Sequence, residues 1–219
     1  MVKNTFIVTA GGIGKRMGAD IPKQFIEICG KPIIIHTIER LLTYDNEAQV
    51  VVTLPITHVD FFKDLLIQFL PYQSVSLVVG GEERFHSIKN ALIEAKGEFI
   101  WIHDAVRPFV SLKVLNALGE AVQSKKAVIP VIEVKESLRQ VLKNESKAVK
   151  RSEFRIVQTP QVFERTLITQ AYLQDYWNEF TDDASVVEAK GFEIYLVEGN
   201  EENIKLTNPL DLKLAGLLI

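Results

Sequence analysis

The chain has 219 residues, 47% of them hydrophobic and 24% charged, enough apolar material for a sizeable core in one soluble domain. A formal net charge of −3 excludes a general nucleic-acid binder, whose footprint would be strongly basic. One cysteine, Cys29, excludes an internal disulfide framework, and no apolar run reaches bilayer-spanning length. The expected compartment is the cytoplasm, with no membrane partner.

The apolar run Phe6-Ile7-Val8 predicts a buried strand that leads into Thr9–Lys23, TAGGIGKRMGADIPK. Gly11, Gly12 and Gly14 let the backbone turn sharply and approach a ligand, and successive N–H groups in such a loop suit phosphate oxygens. Lys15, Arg16 and Lys23 add three cations against Asp20 alone. Together these features point to a polyphosphate site; the bland alternative is a tight turn with a solvated basic face. A P-loop does not fit, because Thr9 and Arg16 stand where it needs Gly and Ser or Thr. A dinucleotide motif fits no better, because Met17 stands in place of its last glycine and no acidic residue ends the next strand, Val50–Leu54.

Pro32 marks a helix start, with Ile34, Ile38, Leu41 and Leu42 at helical spacing. Gln49–Leu54 predicts a second strand. Thr57 and Asp60 resemble a capping box for a helix carrying Val59, Phe62, Leu65, Leu66 and Phe69. Val75–Val79 predicts a third strand ending at Gly80-Gly81, then a helix over Glu83–Ala95. Phe99–Ile102 predicts a fourth strand, running into His103-Asp104-Ala105-Val106-Arg107-Pro108. Alternating β and α with continuous apolar strands predicts an α/β fold on a mainly parallel sheet, whose ligands bind at the carboxyl ends of the strands. Loops rich in Gly, Arg and Asp follow the first, third and fourth strands.

Ser111 predicts the cap of the next helix and Ala127–Val131 a fifth strand. Lys135–Ser152 reads as a hairpin, Leu138–Val141 against Ala148-Val149 around Asn144-Glu145-Ser146. With too little apolar surface to stand alone, it is read as an arm packing on another subunit, the alternative being a solvated hairpin. Arg155–Gln158 predicts a strand, Phe163–Tyr176 a helix, and Thr181–Ser185 an N-terminal cap for a helix reaching Ala189. Phe192–Val197 predicts the last strand, and Asn208-Pro209 opens a terminal helix. No interdomain linker is visible, so residues 1–219 are read as one domain with 135–152 protruding.

AGGIGKRM with PKQF, GGEERFHSI, HDAVRP, TPQVF, TDDAS and VEGNEENIKLTNPLDL occur in that order. Together they resemble the 2-C-methyl-D-erythritol 4-phosphate cytidylyltransferases of the non-mevalonate isoprenoid pathway, nearly end to end. The ribitol-5-phosphate cytidylyltransferases share the first loop and HDAVRP. The resemblance implies a three-layer, Rossmann-like nucleotidyltransferase fold with a β-hairpin dimerisation arm. It implies that a substrate phosphate attacks the α-phosphorus of Mg·CTP, giving a CDP-alcohol and pyrophosphate.

Residue by residue, it implies Arg16 and Lys23 as transition-state stabilisers and Lys205 as a positioner of the attacking phosphate. Ala10, Gly11 and Gly12 would hold the triphosphate through backbone N–H groups. Gly81, Glu82 and Ser87 would read cytosine, and Asp104 and Ala105 would meet the ribose. Arg107, Ser137, Arg151 and Thr159 would bind the polyol phosphate. Ser137 and Arg151 would do so across a two-fold homodimer. No protein metal cage is expected. Mg²⁺ would be held mainly by the CTP phosphates, with Asp104 the carboxylate that meets it directly or through water. Thr9, Gly11, Glu82 and Ser137 depart from the family pattern, Glu82 and Ser137 keeping the functional group. His103 is expected to be structural, Lys15 a solvated neighbour of Arg16, and Arg84 a helix-end charge.

Overall fold

The structure, a computed structural model, describes residues 2–12, 21–143 and 145–219. The sequence readings on Gly14, Lys15, Arg16, Met17, Asp20 and Asn144 lie outside these residues.

The apolar runs form the predicted strands β1 (Asn4–Thr9), β4 (Gln49–Leu54), β5 (Val75–Val79), β6 (Phe99–Asp104) and β7 (Ala127–Glu133). Between them lie a small hairpin, β2 (Glu27–Ile28) with β3 (Lys31–Pro32), and helices α1 (Ile33–Leu42), α2 (Val59–Phe69), α3 (Arg84–Glu94) and α4 (Leu112–Lys125). The arm strands β8 (Arg139–Leu142) and β9 (Glu145–Ala148) follow, then β10 (Arg155–Val157) and β11 (Gln161–Glu164). The chain continues through α5 (Arg165–Ala171), α6 (Asp183–Glu188), β12 (Tyr195–Glu198) and α7 (Pro209–Leu218).

The main sheet has the order β10-β7-β11-β6-β1-β4-β5, with β12 also pairing β7. Pairs β1–β4, β1–β6, β4–β5 and β7–β12 are parallel, whereas β10 and β11 run antiparallel to their neighbours. Strand alternation splits the core in two. Phe6, Val8, Val50, Val52 and Trp101 pack with α1, α2 and α4. Ile7, Val51, Ile100 and Ile102 pack with α3, α5 and α6 on the opposite face. Buried on both sides, the strands read as continuous apolar runs, and the result is a three-layer α/β/α arrangement.

Several local expectations are corrected. Ile56–His58 forms a 3₁₀ turn after Pro55, so α2 begins at Val59 with His58 at its N-cap and no side-chain cap. Asp60 then falls too early in the helix to complete a box with Thr57, and pairs with Lys63 instead at 2.9 Å. Phe163, expected in a helix, lies in β11, inserted between β6 and β7. Its fully buried aromatic ring suits a strand covered on both faces. Glu145 and Ser146, expected in the arm's turn, belong to β9 and face β8. The caps at Ser111, Asp182 and Asn208 stand as expected, the last two as complete capping boxes.

Candidate active site

Three adjacent strands end in one polar row. Thr9 pairs in register with Thr53 on β4 and with Asp104 on β6. Two residues earlier on each strand, Ile7, Val51 and Ile102 pack on the α3 face, so the row's side chains point to that same face. Beyond the row, Ala105 N–H donates to Thr9 O at 3.1 Å and Ala10 N–H to Thr53 O at 2.8 Å. Pairing thus extends one residue into each loop. Gln24, buried on the 3₁₀ turn Lys23–Phe25, donates from Nε2 to Ala10 O at 2.7 Å and holds the loop from above.

Over the row lies a cavity of about 290 Å³. The structure brings Ala10, Gly11, Gly12, Lys23, Gly81, Glu82, Ser87, Asp104, Ala105 and Lys205 to its wall, with Gln24, Thr53 and Arg84. Gly81 is confined to glycine, since a Cβ there would meet His86 Cβ at 2.3 Å. Its N–H donates to Ser87 Oγ at 3.0 Å, and that hydroxyl donates to Glu83 O at 3.2 Å. One expectation changes here. The Ala10 N–H is taken by Thr53 O, so it is not available to a phosphate. No described residue engages the amides of Gly11 and Gly12, whose strand pairing has ended.

Asp104 is the electrostatic centre. Its Oδ2 accepts from Arg107 Nε at 3.1 Å and Lys205 Nζ at 3.0 Å. Burial alone would raise this carboxyl, but Lys205, Arg84 and Arg107 outweigh it and hold it well below the ordinary carboxylate range. Arg107 is itself tied to Asn203 O at 2.8 Å. His103 is fully buried, and burial lowers its pKa to about 4, so it is neutral near pH 7. Its Nε2 lies 2.9 Å from Arg107 O and its Nδ1 2.8 Å from Thr159 Oγ1. Only an Nε2–H tautomer can donate to a carbonyl, so Thr159 donates to Nδ1 and accepts from Asp104 N–H at 3.1 Å. This agrees with a structural His103.

Thr159 reaches that position through an irregularity. From Val157 to Val162 the chain advances five residues while β7 advances three, from Val131 to Val128. The two extra residues form a bulge at 158–160 that aims Thr159 at the end of β6.

The profile of the IspD family, 2-C-methyl-D-erythritol 4-phosphate cytidylyltransferase, matches residues 5–219. The chain is 50% identical over 214 residues to a protein of that name from Phocaeicola vulgatus, covering 97% of this chain and 98% of that one. The chain belongs to this family. The IspD structure from Francisella tularensis superposes with a TM-score of 0.83, at 30% identity over 99% of this chain and 100% of that one. A bifunctional IspDF from Campylobacter jejuni superposes at 0.82 with 28% identity, over 96% of this chain and 53% of that longer one.

Within this 2-C-methyl-D-erythritol 4-phosphate cytidylyltransferase family member, none of the four residues expected to bind the polyol phosphate lines the cavity: Arg107 and Thr159 are hydrogen-bonded to Asp104, which does, and the other two lie farther off. Ser137 and Arg151 are exposed at the base of the arm, where Arg151 donates to Lys135 O. Arg16 lies outside the described residues. Arg84 is more than a helix-end charge. Its NH1 and NH2 donate to Asp183 Oδ1 and Oδ2 at 2.9 and 2.5 Å, and Tyr172 Oη donates to Oδ1 at 2.6 Å. Asp183 is fully buried; although burial opposes its charge, Arg84 is held charged by this carboxylate. Gln24 and Thr53 were likewise missed. The signal for Gln24 was its place beside Lys23 in PKQF; Thr53 offered only a hydroxyl breaking a run of valines.

Proposed function

We infer that this chain transfers CMP from CTP to 2-C-methyl-D-erythritol 4-phosphate, releasing pyrophosphate, in isoprenoid-precursor synthesis. The observation that carries the reading beyond family membership is the cavity itself. It sets a pair of glycine amides that no described residue engages, with two lysines, against a buried, ionised Asp104 at the carboxyl edge of a parallel sheet.

The substrate's phosphate is already ionised near neutral pH, so its oxygen attacks the α-phosphorus without a general base. A new P–O bond forms as the bond to the β-phosphate oxygen breaks, and pyrophosphate leaves. The protein's task is to overcome repulsion between two anions and to stabilise charge on five-coordinate phosphorus. In this reading Gly11 and Gly12 hold the triphosphate, with Ala10 fixing the loop. Lys23 and Arg16 stabilise the transition state, and Lys205 positions the attacking phosphate, its ammonium oriented by Asp104. Gly81, Glu82 and Ser87 face the base and Ala105 the ribose. Arg107, Thr159 and, from a partner chain, Ser137 and Arg151 bind the polyol phosphate.

Mg²⁺ is the implied cofactor. Among the described residues no group of three or more His, Cys, Asp or Glu side chains is arranged to hold a metal. The nucleotide's phosphates with Asp104, whose Oδ1 has no partner among the described residues, form the oxygen set Mg²⁺ takes at nucleotide sites. Bound there, it would neutralise charge on the triphosphate. No helix among the described residues is long and apolar enough to cross a membrane, in keeping with a cytoplasmic enzyme.

Pyrophosphate release tests the reading, with each of the four nucleoside triphosphates offered with methylerythritol phosphate or ribitol 5-phosphate. The expected result is turnover with CTP and methylerythritol phosphate. Turnover at least about tenfold better with ribitol 5-phosphate would overturn the substrate assignment.

A further inference from the structure

Three buried side-chain polar atoms find no hydrogen-bonding partner among the described residues: Thr53 Oγ1, His86 Nδ1 and Asn203 Oδ1. Only Thr53 belongs to a residue in the cavity wall. It closes the run Val50-Val51-Val52, where a fourth valine would keep the shape and the strand propensity without burying a hydroxyl. Thr53 is fully buried, and an unpaired hydroxyl in such a place is costly compared with an apolar isostere. A polar atom is therefore kept there that no described residue uses.

Its surroundings indicate the use. Thr53 O holds the Ala10 N–H, and the next residue's carbonyl, Leu54 O, accepts from Gly80 N–H at 3.0 Å. Thr53 thus sits on the cavity floor where the first glycine loop and the Gly80-Gly81 turn are both anchored to β4. Across the floor, on the α3 side, stands Ser87, whose hydroxyl is already committed to Gly81 N–H and Glu83 O. Beside these hydroxyls and the glycine backbone stand Glu82 and Glu83, whose charge repels a phosphate, and Arg84, committed to Asp183, unlike the end held by Lys205 and Asp104. A neutral hydroxyl that both donates and accepts suits the mixed polar edge of a nucleobase better than it suits a phosphate.

We propose that Thr53 is a further nucleotide-recognition residue, its Oγ1 hydrogen-bonding a polar edge atom of the pyrimidine base. The inference rests on the reading of this cavity as the CTP site. It accounts for a hydroxyl that has no partner among the described residues and that binding would satisfy.

Calorimetric titration of the full chain with CTP and with CMP tests it, using Thr53→Val, Thr53→Ser and the wild type. Thr53→Val should weaken both nucleotides by roughly 3–10-fold, the net value of one hydrogen bond, while Thr53→Ser stays near wild type. The KM for the polyol phosphate should hold. The ligand-free melting temperature of Thr53→Val should not fall, because removing an orphan hydroxyl leaves no partner stranded. Equal nucleotide affinity in wild type and Thr53→Val overturns the inference while leaving the CTP reading intact. A loss seen with CTP but not CMP would assign the hydroxyl to the phosphates and overturn the base contact. A wild type that binds no CTP removes the reading and the inference together. If Thr53→Val does not fold, Thr53→Ala removes the same hydroxyl and is judged by the same affinities.

Discussion

His103, Thr159 and Asp104 form a directed chain: Arg107 O accepts from His103, Thr159 donates to His103, and Asp104 N–H donates to Thr159. A protonated imidazole would put a second donor against the Thr159 hydroxyl and break the direction. Burial accordingly lowers His103 to about 4, whereas the imidazole of the unfolded chain takes up its proton near 6.5. Between those values the unfolded state binds more protons than the native one. The stability His103 contributes is therefore complete above about pH 6.5 and is lost as pH falls toward 4. Urea denaturation across that window should show falling stability in the wild type. His103→Gln, with nothing to protonate, should start lower at pH 7 but lose stability less steeply. Parallel slopes would show that His103 does not titrate with unfolding. The depressed Asp104 carboxyl acts in the same direction but at lower pH, since its contribution is full above its unfolded value and is lost only below it.

At the scale of elements, the Arg84–Asp183 pair ties the N-terminus of α3 to that of α6 beneath the cavity wall. Asp183 is fully buried, and its two oxygens accept from Arg84 and from Tyr172. Replacing it leaves a mostly buried guanidinium and a buried phenol without their acceptor. Asp183→Ala should destabilise the protein by about 3–5 kcal/mol in urea unfolding. The cap of α6 would survive, because Asp182 supplies it independently. Joining Asp183→Leu to Arg84→Met should recover most of the loss, since an apolar pair strands no charge. If the double variant is no more stable than Asp183→Ala, the loss comes from packing and not from the orphaned charge.

For the whole molecule, the decisive feature is the arm. Strands β8 and β9 form their own two-stranded sheet, apart from the main one, and every described residue in them is exposed. Val141 and Leu142 stand 68% and 64% exposed, apolar surface that a second chain would cover in the dimer reading. The dimer reading has each arm bring Arg151 to the pocket that holds the neighbour's Lys23. Lys23→Ala and Arg151→Ala homodimers should then each be nearly inactive. A heterodimer of the two has one pocket with both lesions and one with neither. Random reassortment of equal amounts should restore roughly a quarter of wild-type activity. A mixture that stays inactive although mass spectrometry confirms heterodimers would refute the shared pocket.

Much of this was legible in the chain alone. β1, β4, β5 and β6 are short apolar runs bounded by Gly, Pro and Asp, and the helices between them carry their own periodicity. Local pattern determined their identity and order, and with them the parallel sheet whose carboxyl edge carries the cavity. Local pattern did not determine β11. Gln161–Glu164 is too short to show a period of its own, and antiparallel partners on both sides, β6 and β7, set its conformation. Nor did it reveal Arg84 as the partner of Asp183, 99 residues away, or Thr159 as the link between His103 and Asp104. A hydrogen bond across such a separation leaves no mark on either sequence neighbourhood, because only chain closure brings the groups together. The sequence by itself determined which segments are strands and helices and where phosphate-binding chemistry gathers. Only the tertiary structure decided which side chains are held, which amides are spent, and which hydroxyl is left for a ligand.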